Sequence, residues 1–229
     1  MVKIFIATPA FEGKVHVPFA ISLAETTLML SMHQIGVQFQ IVTSGSLLEA
    51  ERNRLVDAFL KSDCTHMLCL DSDLGWPPQA VLALLQKNED FIAGVYPNRI
   101  DKSFTFRPKT EEDGKIVTNP EKALLEMEYI PAGFMLIKRC VFERIIEKFP
   151  DLTFTPKAKD VPPGFAFFLC EIWEGEFWGE DYTFCRRARE SGTRIWIDPM
   201  IQFNHAGNIG CITSVLMDKK PESPETTST

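Results

Sequence analysis

Two hydrophobic periods alternate along the first hundred residues. Lys3 to Thr8 is a short apolar run stopped by Pro9, which predicts a strand. From Pro18 to Gln34 the residues Phe19, Leu23, Leu28 and Leu30 recur at helical spacing, and Gly36 closes the run. Val37 to Thr43 alternates as a second strand and ends in Ser44-Gly45-Ser46. Leu47 to Lys61 predicts an amphipathic helix through Leu48, Leu55 and Phe59. His66 to Leu70 is nearly all apolar, as suits a strand buried on both faces. Pro78 to Gln86 predicts a third helix and Phe91 to Val95 a fourth strand. Such alternation predicts an α/β fold: a central, mostly parallel sheet flanked by helices, with ligands at the carboxyl ends of its strands.

The second half is less regular. Thr110 to Gly114 reads as a turn, and Tyr129-Ile130-Pro131-Ala132-Gly133 leads into an apolar stretch, Phe134 to Ile137, then a helix, Val141 to Phe149. Pro156 to Gly164 is rich in Pro and Lys and predicts a mobile loop. Asp181 to Glu190 predicts a helix with Gly192 just past its end, and Thr193 to Ile197 a last strand. From Asp218 the chain turns polar and proline-bearing, which predicts a disordered tail. With no internal repeat or linker, the expectation is one domain over residues 1–217 and a tail over 218–229.

Composition narrows the partners. A formal net charge of −7 argues against nucleic acid, yet leaves room for a local pocket that takes one diphosphate. The six cysteines, Cys64, Cys69, Cys140, Cys170, Cys185 and Cys211, show no Cys-x-x-Cys spacing and sit in apolar runs. They read as thiols in a reducing, cytoplasmic setting rather than as a zinc site or disulfide framework. The opening strand is too short for a signal peptide, and no apolar run is long enough for a membrane span.

Four polar segments could carry chemistry. Asp71-Ser72-Asp73 follows the strand of Leu68-Cys69-Leu70, and two carboxylates two residues apart share a side if the extended backbone continues. Their repulsion is relieved by a cation, and hard oxygen ligands suit Mg²⁺ or Mn²⁺. A solvated turn capped by Asp73 is the plain alternative. Gly179-Glu180-Asp181 offers a carboxylate able to take a proton, or simply acidic residues placed at a helix start. His205 after the last strand reads as structural unless the fold brings it to Asp73. Arg52, in Glu51-Arg52-Asn53-Arg54, is either on a solvated helix face or a phosphate ligand.

Taken in order, these segments resemble a known family. Thr8-Pro9, Thr43, Arg52-Asn53, Asp71-Ser72-Asp73, Tyr96-Pro97, Pro131-Ala132-Gly133-Phe134-Met135, Gly179-Glu180-Asp181 with Phe184 and Arg187, and His205 look like the small GT-A-fold (Rossmann-like) glycosyltransferases related to the family-2 type. The resemblance spans about residues 2 to 208. It implies a donor pocket lined by Thr8, Pro9, Thr43, Arg52, Asp71, Ser72, Ala132 and Gly133, with Asp71, Asp73 and His205 at a Mn²⁺ or Mg²⁺ ion. Asp181 would be the general base, with Glu180 beside it. The implied partners are a nucleoside-diphosphate sugar of UDP or GDP type and a carbohydrate acceptor, reacting with inversion.

The chain departs from the family-2 pattern in lacking Gln-x-x-Arg-Trp, which argues against processive polysaccharide synthesis. Trp173, Phe177 and Trp178 read either as an acceptor platform or as core packing at the sheet edge. A sugar-nucleotide nucleotidyltransferase is disfavoured by the glycine-poor segment from Thr8 to Lys14. A phosphatase with an aspartate nucleophile would carry its Asp-x-Asp after the first strand rather than the third. A module that binds nucleotide sugar without turnover is the non-enzyme alternative.

Overall fold

A computed structural model describes residues 1–43, 47–155, 157 and 163–213. Its helices are α1 (Val17–Met32), α2 (Leu48–Lys61), α3 (Gln79–Lys87), α4 (Arg139–Lys148) and α5 (Glu180–Glu190). The strands of the first half are β1 (Lys3–Pro9), β2 (Gly36–Val42), β3 (His66–Leu70), β4 (Leu74–Gly75) and β5 (Phe91–Ala93). Then come β6 (Arg107–Pro108), β7 (Thr118–Asn119), β8 (Leu124–Tyr129), β9 (Phe134–Lys138), β10 (Thr153–Phe154) and β11 (Gly164–Phe165). The last are β12 (Glu171–Trp173), β13 (Glu176–Trp178), β14 (Ile195–Ile197), β15 (Phe203–His205) and β16 (Asn208–Gly210).

The central sheet runs β2-β1-β3-β9-β5-β14-β8-β6, with β7 beside β8. It is mostly parallel: β1, β2, β3, β5 and β14 share one direction, and β8 and β9 run against them. Period-2 alternation feeds two cores. Phe5, Ala7, Met67, Cys69, Met135 and Ile137 face α2, α4 and α5, where Phe59, Phe142 and Phe184 pack. Ile4, Ile6, Leu68, Leu70 and Leu136 face α1 and α3 on the other side. Helices on both faces explain why β3 carries no polar residue within its last four positions.

The expected helices and early strands fall within a residue or two of their bounds, and Gly192 lies just past α5 with φ +86. β8 is not among the expected elements, and the expected apolar stretch from Phe134 to Ile137 is β9, which inserts antiparallel between β3 and β5. Ser44-Gly45-Ser46, most of the Pro156 to Gly164 loop and the 218–229 tail lie outside the described residues. Among the described residues no helix is long and apolar enough to cross a membrane. Cys64, Cys69 and Cys185 are buried free thiols, and Cys140 and Cys170 are free and half-buried.

Candidate active site

The site forms where β1, β3 and the chain after β5 end. Past Leu70 the backbone does not stay extended: the Leu74 amide donates to the Asp71 carbonyl at 3.2 Å, closing a turn. Beyond that turn the two aspartates take different partners, although both border one cleft. The turn is pinned by three further backbone bonds, from His16 to Ser72, from Ala206 to Asp73, and from Asp71 to Gly133.

Asp71 turns toward a buried cation. Arg52 is 5% exposed and donates through Nη2 to Asp71 Oδ1 at 2.9 Å and through Nε to Glu180 Oε1 at 3.3 Å. Burial works against its charge, but Asp71 and Glu180 outweigh burial and hold the guanidinium firmly protonated. Helix phase explains its position: Glu51, Arg52, Leu55, Val56 and Phe59 form the inner face of α2. Tyr96 completes the arrangement. Its hydroxyl donates to Asp71 Oδ2 at 3.1 Å and accepts the Gly133 amide at 3.0 Å. A Cβ on Gly133 would come within 2.2 Å of that hydroxyl and 2.4 Å of Asp71 Oδ2. The missing side chain therefore makes room for the protein's own polar groups.

Asp181 stands beside this pair, in the first turn of α5. Gly179 is the N-cap and makes no side-chain cap bond. Asp181 Oδ1 accepts the amide of Tyr182, in the same first turn of α5, at 2.8 Å. Burial, then the charge of Glu180, push its carboxyl up to about 6, against the pull of Arg52. Such a carboxyl is charged near neutrality yet basic enough to take a proton.

A second polar unit lies across the turn. β4 pairs with β15, setting Leu74 opposite His205, so a small three-stranded sheet delivers the histidine to Asp73. His205 Nε2 is 3.4 Å from Asp73 Oδ1, and Arg99 Nη1 is 2.8 Å from Asp73 Oδ2. His205 Nδ1 donates to the Pro97 carbonyl at 2.7 Å, because a carbonyl can only accept. Nε2 therefore faces the carboxylate: a protonated ring donates its N–H to Asp73, and a neutral ring would offer its lone pair to a cation bound there. Burial lowers the His205 pKa, but the Asp73 and Pro97 hydrogen bonds and the charges of Asp73 and Asp71 together outweigh it, and the net direction is up. Among the described residues no group of three or more His, Cys, Asp or Glu side chains converges as a metal cage. An ion bound here would have Asp73 and His205 as its protein donors, and other ligands would have to complete its shell. Asp71 is not in that pair.

A cleft of about 370 Å³ joins the two units, bordered by Pro9, Phe11, Leu48, Asp71, Asp73 and His205. Ser72 and Arg99 also line it. Of the other expected donor residues, Thr8 is fully buried with its Oγ1 unpartnered, Thr43 is exposed past β2, and Ala132 is buried. Glu51, singled out only as part of a charged run, borders the cleft with Oε1 on Arg54 at 2.9 Å and Oε2 buried and unpartnered.

The β12–β13 hairpin leads straight into Asp181. Phe177 is 74% exposed on it, and Trp173 lies 3.8 Å beneath the Arg186 guanidinium, so these two are not core residues. Trp178 packs edge-on against Tyr129. Asn53 and Arg187 anchor the preceding chain. Asn53 exchanges two hydrogen bonds with the Phe168 backbone, and Arg187 donates to the Ala166 carbonyl and to Glu171.

The class so defined is an α/β domain with an arginine-braced acidic cleft at its strand ends. No protein-family model matches the chain, and no curated protein sequence matches it significantly. Among solved structures it is similar to the catalytic domain of Drosophila beta1,4galactosyltransferase 7 in complex with xylobiose. That likeness covers 97% of this chain and 76% of that one, at 13% identity and a TM-score of 0.48. S. aureus TarS in complex with UDP-GlcNAc is similar over 86% of this chain and 56% of that chain, at 14% identity and a TM-score of 0.41. For TarS with UDP the values are 86%, 57%, 12% and 0.46, so this chain spans little more than half of the TarS chain.

Proposed function

We propose that residues 1–217 form a glycosyltransferase that moves a sugar from a nucleoside-diphosphate sugar onto an acceptor hydroxyl. The observation that carries this reading is Asp181. It is a half-buried carboxyl raised to about 6, electrostatically coupled to Glu180 and Asp71, two carboxylates already committed to Arg52. Because Arg52 ties Asp71 and Glu180, Asp181 is left as the carboxylate available to an incoming hydroxyl.

Cleavage of the anomeric carbon–oxygen bond leaves negative charge on the departing diphosphate. Asp73 and His205 would hold a Mn²⁺ or Mg²⁺ ion, which supplies charge stabilisation to that leaving group when bound. Arg99, exposed and reaching Asp73, can turn to the same phosphates. Asp181 takes the acceptor proton as the hydroxyl attacks from the opposite face, which inverts the anomeric centre. Phe177 and Trp178 offer the acceptor sugar an apolar surface next to that base. At the cleft's apolar end the unpartnered Glu51 oxygen can accept an N–H. Uracil N3 or guanine N1 can supply that N–H in a UDP or GDP donor. The free thiols suit work in a reducing compartment such as the cytoplasm.

The test is the Asp181→Asn variant, assayed for release of nucleoside diphosphate from a panel of sugar donors and for donor binding. Loss of a positioned base lowers turnover by about 10²–10⁴, with donor binding retained. Full turnover in the variant would overturn the base assignment.

A further inference from the structure

The central sheet ends at β2, and no described strand pairs with its outer edge. A free edge of this length is normally blunted by Lys, Pro or a bulge, because it can template pairing with another chain. β2 carries no such guard. It reads Gly36-Val37-Gln38-Phe39-Gln40-Ile41-Val42, and no Asp, Glu, Lys or Arg stands anywhere between Glu25 and Glu49, although 24% of the chain is charged. Phe39 and Ile41 are 46% and 41% exposed. By alternation they share the face of Val37, which packs with α1. The outer side of α1 leaves Leu28 and Met32 in water as well.

The order of the residues says what fits this edge. Read outward from Phe39, β2 is nearly the same in both directions: Gln38 matches Gln40, and Val37 matches Ile41. A two-fold axis through Phe39 would pair two antiparallel copies with like opposite like. Aromatic meets aromatic and branched aliphatic meets branched aliphatic on the α1 face, while amide meets amide on the other. That is the self-complementarity an isologous contact requires. We infer that β2 is a homodimer interface joining the central sheets of two copies edge to edge. Val42 borders the cleft at one end of β2, so the antiparallel operation sets the two clefts at opposite ends of the joined sheet. A lipid surface could also take up uncharged apolar side chains. It would use neither the amide and carbonyl groups of the strand's outer edge nor the mirrored residue order.

The experiment is sedimentation velocity of the full chain over a micromolar concentration series, together with cysteine cross-linking. Wild type is expected to sediment as a dimer. Phe39→Lys, which sets like charges opposite each other at an exposed position, is expected to sediment as a monomer with an unchanged circular dichroism spectrum. Directly opposed residues of an antiparallel pair have Cα atoms about 4.5–5.5 Å apart, within the reach of a disulfide. Phe39→Cys should therefore cross-link to itself on mild oxidation, well above the background from native thiols in wild type. Val37→Cys should not cross-link alone but should do so when mixed with Ile41→Cys. The proposal is overturned by a wild-type monomer throughout, including one that instead pellets with phospholipid vesicles. It is equally overturned by a dimer that Phe39→Lys leaves intact, or by cross-linking of Phe39→Cys no faster than wild type.

Discussion

Asp181 carries a cost that its chemistry explains. A carboxyl raised in the folded state stabilises the protein fully below its unfolded pKa, near 4, and that contribution is lost as pH rises through about 6. Above that pH the half-buried carboxylate opposes folding, by at most about 3 kcal/mol. Asp181→Asn is therefore expected to melt several degrees higher than wild type at pH 7.5, with the gap closing toward pH 4 to 5, as differential scanning fluorimetry would record. A variant that melts no higher at pH 7.5 would contradict the half-buried charge. The same group predicts that kcat/KM falls about tenfold per pH unit below about 6, where the base is protonated. At this scale the sequence was informative about residue types and silent about their partners. The motif residues Asp71, Asp73, Asp181 and His205 stand out as acids and a histidine at element ends. Arg52 does not announce that it faces inward. The signal was present in helix phase, since stepping back four from Leu55 and Val56 lands on Glu51 and Arg52, both buried. Charge composition hid it. Arg99 sits in an irregular segment with no period to read, so only the structure brings it to Asp73.

At the scale of elements, local periodicity gave β1, β3 and the five helices because each buries a regular face. It could not give β9 its direction, nor bring β4 to β15, because those pairings join residues far apart in sequence and are decided by the whole sheet. The Asp71–Asp73 turn shows the consequence. Extended alternation predicts two carboxylates on one side, and the pairing of Leu74 with His205 instead gives Asp73 the histidine as its partner. Gly133 is where three elements meet, following β8, entering β9 and lying under Tyr96. Gly133→Ala forces Tyr96 and Asp71 apart, and overpacking of this kind costs about 1–3 kcal/mol. The expected result is a lower melting temperature together with weakened donor binding. A variant that keeps both would contradict the close packing of Tyr96, Asp71 and the Gly133 backbone.

At the scale of the molecule, a chain of net charge −7 is proposed to bind a dianionic diphosphate, which its acidic cleft should resist without a cation. Arg52 cannot supply that charge, because Asp71 and Glu180 already hold it. The account therefore places the compensating charge at Asp73, His205 and Arg99. The measurement that tests this most directly is a thermal-shift screen of UDP, GDP, CDP and dTDP and their sugars, with and without Mn²⁺. A ligand at a hundred times its Kd stabilises the folded state by about 2.7 kcal/mol, which for a chain of this size raises Tm by roughly 5–10 °C. Such a rise is expected with UDP or GDP, larger with Mn²⁺ than without, and lost in Asp73→Ala. No rise with any nucleotide, with or without the ion, would contradict it.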